Sequence, residues 1–132
     1  MGERADLPGA VLFACSRNAV RSPMAAAILK HLAGNRIYVE SAGVRPGEPD
    51  PFAIADLHDM SFDLIVTLAP EAHHQALELA HRYAIDVEYW PTPDPTLATG
   101  SREQILDAYR AVRDRLLAKI KQRFALAGAA GV

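Results

Sequence analysis

Sulfur is scarce in this chain: one cysteine, Cys15, stands in 132 residues. No internal disulfide can form, and the His73-His74 pair without further cysteines lacks the clustered spacing of a structural zinc site. No metal or cofactor is therefore expected. An excess of one charge is also missing. Fourteen Lys and Arg against 16 Asp and Glu leave a net charge of −2, with no basic stripe of the kind that tracks a phosphodiester backbone. This excludes nucleic acid as an expected partner. Long apolar runs are absent too: none approaches the roughly 20 residues needed to span a bilayer. The opening "MGERADLPG" has no signal-peptide core. No membrane partner is expected, and the cytoplasm is the expected compartment. No repeat, linker or low-complexity block interrupts the sequence.

What is present is enough apolar material, 50% of the chain, for one real core. The expectation is a single domain over 1–132, with flexible ends at 1–9 and 125–132. Four short apolar runs bounded by glycine, proline or polar residues read as strands: "AVLFA" (10–14), "RIYVES" (36–41), "FDLIVTL" (62–68) and "DVEYWP" (86–91). Three of them are expected to be buried. Helical patterns separate them. The first helix should start at Ser22 as N-cap with Pro23 behind it and stop at Gly34, with Met24, Ile28, Leu29 and Leu32 on one face. A second starts near Pro70 and turns Ala72, Ala76, Leu79, Ala80 and Tyr83 inward. In the last, Ser101 and Gln104 form a capping box ahead of Ile105, Tyr109, Val112, Leu116, Ile120 and Phe124. Alternating strands and helices predict an α/β fold: a four-stranded parallel sheet flanked by helices on both faces. Ligands of such sheets bind beyond the carboxyl ends of the strands.

Cys15 falls at that edge. A loop running from Cys15 to Arg21 can curl its amides, those of Ser16, Arg17, Asn18, Ala19, Val20 and Arg21, around one centre, and the following helix start adds partial positive charge. Such an anion cradle also favours a thiolate. Arg21 contributes a planar fork suited to two oxygens of a tetrahedral anion. A bound phosphate, sulfate or arsenate fits this chemistry.

The motif C-x5-R-S directly after a first strand, with Asn18 inside it and "SPM" behind it, resembles the low-molecular-weight protein tyrosine phosphatase family, whose fold is shared by thioredoxin-coupled arsenate reductases. "SAG" (41–43) and "DP" (Asp94-Pro95) before the last helix extend the resemblance from about Val11 to Ile120. The resemblance implies that Cys15 is the nucleophile forming a phosphocysteine. It implies that Arg21, Ser22 and the amides of Ser16 to Arg21 hold the phosphoryl group, and that Asp94 protonates the leaving oxygen and later activates water. Asn18, Ser22 and Ser41 match the residues that shape the loop. The substrate implied is a phosphorylated protein or a small aryl phosphate.

Several positions depart from that pattern. Arg17 stands where these phosphatases have glycine, and Ala19-Val20 replaces an apolar residue and a second cysteine. Residues 44–62 form a shorter segment than usual, with a brief helix expected around 52–57, and should leave one side of the pocket open. Thr96 follows Asp-Pro where tyrosine is common, and Trp90 shortly before it resembles the arsenate reductase branch. Three functions follow: a phosphatase, an arsenate reductase dependent on an external thiol, and a phosphate-binding or interaction module without useful turnover. Outside the motif, Trp90 reads as core, His73 and His74 as a solvated pair, and "PTPDPT" as a turn that Asp94 also suits.

Overall fold

The computed structural model describes residues 7–15, 20–43, 62–82 and 84–125. Its elements in chain order are β1 (Ala10–Cys15), α1 (Arg21–Ala33), β2 (Tyr38–Gly43), β3 (Leu64–Thr67), α2 (Pro70–Arg82), β4 (Asp86–Tyr89) and α3 (Arg102–Phe124). Short 3₁₀ turns occupy Gly34–Arg36 and Pro95–Leu97. The four strands form one sheet in the order β2-β1-β3-β4, and every pair is parallel. The expected α/β architecture is thus observed.

Successive side chains of a strand face opposite sides of the sheet, and β1 shows the rule clearly. Val11, Phe13 and Cys15 enter a core shared with Ala25, Ala26 and Leu29 of α1 and Val112, Leu116, Ile120 and Phe124 of α3. Leu12 enters the opposite core with Ile65, Phe62 and Ala76 of α2. Helices therefore cover both faces, as a parallel sheet requires. Only the two central strands are fully buried through most of their length, not three. β2 and β4 are edges, and Tyr38, Asp86 and Tyr89 on them face solvent.

The ends of elements follow from local chemistry. Gly34 ends α1 at φ +62°, a conformation that costs an L side chain energy, and its N–H donates to Lys30. The capping box of α3 forms as expected, with Ser101 accepting from Gln104 N–H at 3.1 Å and Gln104 accepting from Ser101 N–H at 2.7 Å. Leu7 packs against the core. Asp63 pins the start of β1 by accepting from the amides of Gly9 at 2.8 Å and Ala10 at 3.0 Å. The stretch 7–9, expected to be flexible, is held by these contacts. Of the inward residues expected on α2, Ala72 and Ala76 are fully buried, whereas the side chain of Leu79, and Tyr83 altogether, lie outside the described residues. No helix among the described residues is long and apolar enough to cross a membrane.

Candidate active site

β1 runs one residue further than its apolar run, and Cys15 pairs in register with Gly43 at the carboxyl edge of the sheet. Parity then fixes where the thiol goes. As the third residue of the Val11, Phe13, Cys15 set, it turns toward α1 and is only 1% exposed. There its Sγ lies 3.1 Å from the Ser22 hydroxyl, which is itself fully buried and lies 3.3 Å from the Ala42 carbonyl. Ser22 carries one proton for two acceptors. While the sulfur is protonated, it can donate to Ser22 and Ser22 to Ala42. Once the sulfur is a thiolate, the serine proton must turn toward it.

This arrangement corrects the expected start of α1. The N-cap is Val20, without a side-chain cap, and Ser22 is the second helical residue. Its hydroxyl is turned to the sulfur instead of to the helix end. Pro23 occupies the third position, where the absent N–H costs nothing, and the first intrahelical bond runs from Met24 N–H to Val20 at 2.9 Å. The first turn therefore presents its amide end beside Cys15, with the positive end of the dipole.

Arg21, the first residue of that turn, reaches across to the segment after β4. Its Nη1 donates to the Thr92 carbonyl at 2.9 Å, and its Nη2 lies 3.8 Å from Asp94 Oδ2. The second distance is an ion pair without a direct hydrogen bond. Asp94 reaches this edge because the chain continues along β3 past the end of β4: Trp90 N–H donates to Thr67 at 2.8 Å and Thr92 N–H to Leu68 at 3.2 Å. Asp94 then caps the turn Pro95–Leu97, its Oδ1 accepting from Thr96 N–H at 3.0 Å and from the Thr96 hydroxyl at 2.7 Å. Asp94 is thus a turn former whose other carboxylate oxygen lies toward Arg21. Cys15, Ser22, Arg21 and Asp94 thus converge, supplied by the end of β1, the start of α1 and the segment after β4.

Other expected residues stand apart from this group or beyond it. Ser16, Arg17, Asn18 and Ala19, and the segment 44–61, lie outside the described residues. Ser41 sits on β2 in register with Phe13. Trp90 is core: it meets Phe13 edge-on with centroids 5.9 Å apart and donates to Glu88 at 3.1 Å. His73 is not simply solvated. It stacks on Tyr89 at 4.7 Å, and its Nδ1 lies 3.1 Å from the hydroxyl of buried Thr67. The Thr92 carbonyl and the Thr96 hydroxyl were not expected in the site. A backbone acceptor leaves no trace in sequence, but Asp-x-Thr is a pattern in which the threonine amide and hydroxyl both reach the aspartate.

The family model of the low molecular weight phosphotyrosine protein phosphatases matches residues 10–60. An arsenate reductase of Shouchella clausii is 31% identical over 131 aligned positions, which span 85% of this chain and 92% of that protein. The chain belongs to the low molecular weight phosphotyrosine protein phosphatase family. Members of this family are enzymes, and arsenate reductases are among their relatives. A protein-arginine-phosphatase of Geobacillus stearothermophilus is 29% identical, over 83% of this chain and 68% of the relative. A crystal structure of a YwlE mutant from Bacillus subtilis superposes with a TM-score of 0.64 at 24% identity, covering 88% of this chain and 96% of that one. That likeness shows the fold.

Proposed function

We propose that this member of the family is a cysteine-dependent phosphatase that hydrolyses phosphotyrosine or other aryl phosphate monoesters through a phosphocysteine, in the cytoplasm, where a lone thiol stays reduced. The observation that carries the reading is the convergence of Cys15, Ser22, Arg21 and Asp94 at one edge of the sheet. In the first step the Cys15 sulfur attacks phosphorus, forming P–S. The P–O bond breaks, its electron pair goes to the leaving oxygen, and that oxygen takes a proton from Asp94. In the second step Asp94 takes a proton from the attacking water as its oxygen bonds to phosphorus, P–S breaks with its electron pair going to sulfur, and the departing thiolate accepts a hydrogen bond from the Ser22 hydroxyl. Arg21 and the loop amides from Ser16 to Arg21 bind the equatorial oxygens, whose negative charge they stabilise in the transition state.

Two relatives favour further readings at the same site. The protein-arginine-phosphatase supports a phosphoarginine substrate. The arsenate reductase supports arsenate as the bound anion, although a chain with one cysteine must release arsenic through an external thiol. Steady-state kinetics on a series of aryl phosphates, a phosphotyrosine peptide and a phosphoarginine peptide separate them. The expected result is turnover of aryl phosphates that Cys15→Ser abolishes. Asp94→Asn should slow substrates with basic leaving groups by ~10²-fold or more and those with acidic phenols far less. Equal losses across all leaving groups remove Asp94 from the acid role. No Cys15-dependent turnover of any substrate leaves a phosphate-binding module.

A further inference from the structure

We infer that Thr96 is a positioning residue for the general acid: its hydroxyl and amide together hold Asp94 Oδ1 and so fix the carboxyl with Oδ2 turned toward Arg21. The inference rests on the phosphatase reading above and deepens it. The two donors approach one oxygen, the hydroxyl at 2.7 Å and the amide at 3.0 Å. The amide can only donate to Oδ1, whereas the hydroxyl can donate to the carboxylate and accept from the acid, so the contact holds the carboxyl in both protonation states. The carboxyl is thereby oriented with Oδ2 3.8 Å from Arg21 Nη2. Arg21 binds the phosphoryl group in the proposed reaction, so Oδ2 is the oxygen on the substrate's side. When the P–O bond breaks, the carboxyl O–H bond of Asp94 breaks with it and the proton passes to the leaving oxygen. Asp94 is left as a carboxylate whose Oδ1 is already solvated by Thr96.

The backbone donor belongs to any residue at position 96 that keeps the turn. The hydroxyl donor belongs to threonine or serine alone. Thr96 is exposed, so removing its hydroxyl opens no cavity. The hydroxyl donates to Asp94 Oδ1, so its loss falls on that carboxyl. The residue therefore acts through Asp94, and its substitution should mimic a weakened acid and nothing else.

The test compares Thr96→Val, which keeps the shape and removes the donor, with Thr96→Ser, which keeps the donor. On the wild-type background, Thr96→Val should lower kcat for an aryl phosphate with a basic leaving group about 10-fold, a part of the ~10²–10⁴-fold that general acid catalysis contributes. It should lower kcat for an acidic phenol less than about twofold, by the same argument. Thr96→Ser should restore both. In an Asp94→Asn background, Thr96→Val should add no further loss, because the two residues act as one unit. A readout independent of turnover is the carboxyl titration of Asp94 followed by NMR, which should move to higher pH in Thr96→Val as the ionised form loses a donor. An unchanged titration, a loss that is equal for all leaving groups, or a loss that adds to that of Asp94→Asn overturns the inference. Absence of Cys15-dependent turnover in the wild type overturns the phosphatase reading instead, and the titration still reports on the Thr96 contact.

Discussion

At the scale of single residues, the candidate site is a set of shared hydrogen bonds: one proton for two acceptors at Ser22, one oxygen for two donors at Asp94. Ser22 is the sharpest case, fully buried between a sulfur and a carbonyl. Its replacement by alanine leaves the thiolate without that donor both when it forms and when it departs from phosphorus. Ser22→Ala should lower kcat by about 10- to 100-fold, at or below the usual cost of removing one donor from a developing charge. The effect should fall on the breakdown of the phosphocysteine, which rapid-quench measurement of the trapped intermediate would detect as accumulation. Position 96 presents a trade. Thr96→Tyr should strengthen the grip on an aromatic substrate and lower its KM, yet it removes the hydroxyl that holds Asp94 Oδ1 and should lower kcat where the leaving group is basic. A KM and a kcat that fall together in steady-state kinetics on phosphotyrosine would show both effects in one variant.

At the scale of elements, the sequence announced what is set locally and was silent on what is set by neighbours. The strands were legible because each is a short apolar run between breakers, and α3 was legible because its cap is written in four consecutive residues. Its cap also yields a test. Gly100 precedes it at φ +118°, and a Cβ there would meet the Gln104 carboxamide. Gly100→Ala should cost about 1–3 kcal/mol of stability in urea denaturation, by strain and by displacing the cap, against about 1 kcal/mol for Ser101→Ala. The start of α1 misled because Ser-Pro is a helix-start signal whatever the serine hydroxyl does. Here the hydroxyl has a stronger tie to Cys15, a residue whose nearness depends on the fold. Which strands are buried was equally out of reach. Strand order is a property of the assembled sheet, and β2 carries enough apolar residues to read as interior although it lies at the edge. In the site, Cys15, Arg21 and Asp94 were legible as residue types at telling positions. The bond from Arg21 to the Thr92 carbonyl was not, since a carbonyl is the same in every residue.

At the scale of the whole molecule, a single thiol limits what the chain can do unaided. Reducing arsenate through an internal disulfide needs at least two cysteines, so thioredoxin with its reductase should not sustain arsenate-dependent consumption of NADPH. Continuous consumption over many equivalents in that coupled assay would contradict this. The order of the strands has a consequence for how the molecule is made. Of the described strands β1 is translated first, yet it lies inside the sheet. Both its neighbours, and the helix α3 that covers Val11 and Phe13, emerge later. Until β2 and β3 have emerged the nascent strand has open edges, and for the several seconds that synthesis through Phe124 takes the face of Val11 and Phe13 lacks α3, the condition under which chains stick to one another or to a chaperone. A chain released after Gly100 should therefore be found more in the insoluble fraction than the full chain when the two are fractionated side by side. Among the described elements α3 is translated last, and it is the one that ends the exposure of Val11 and Phe13.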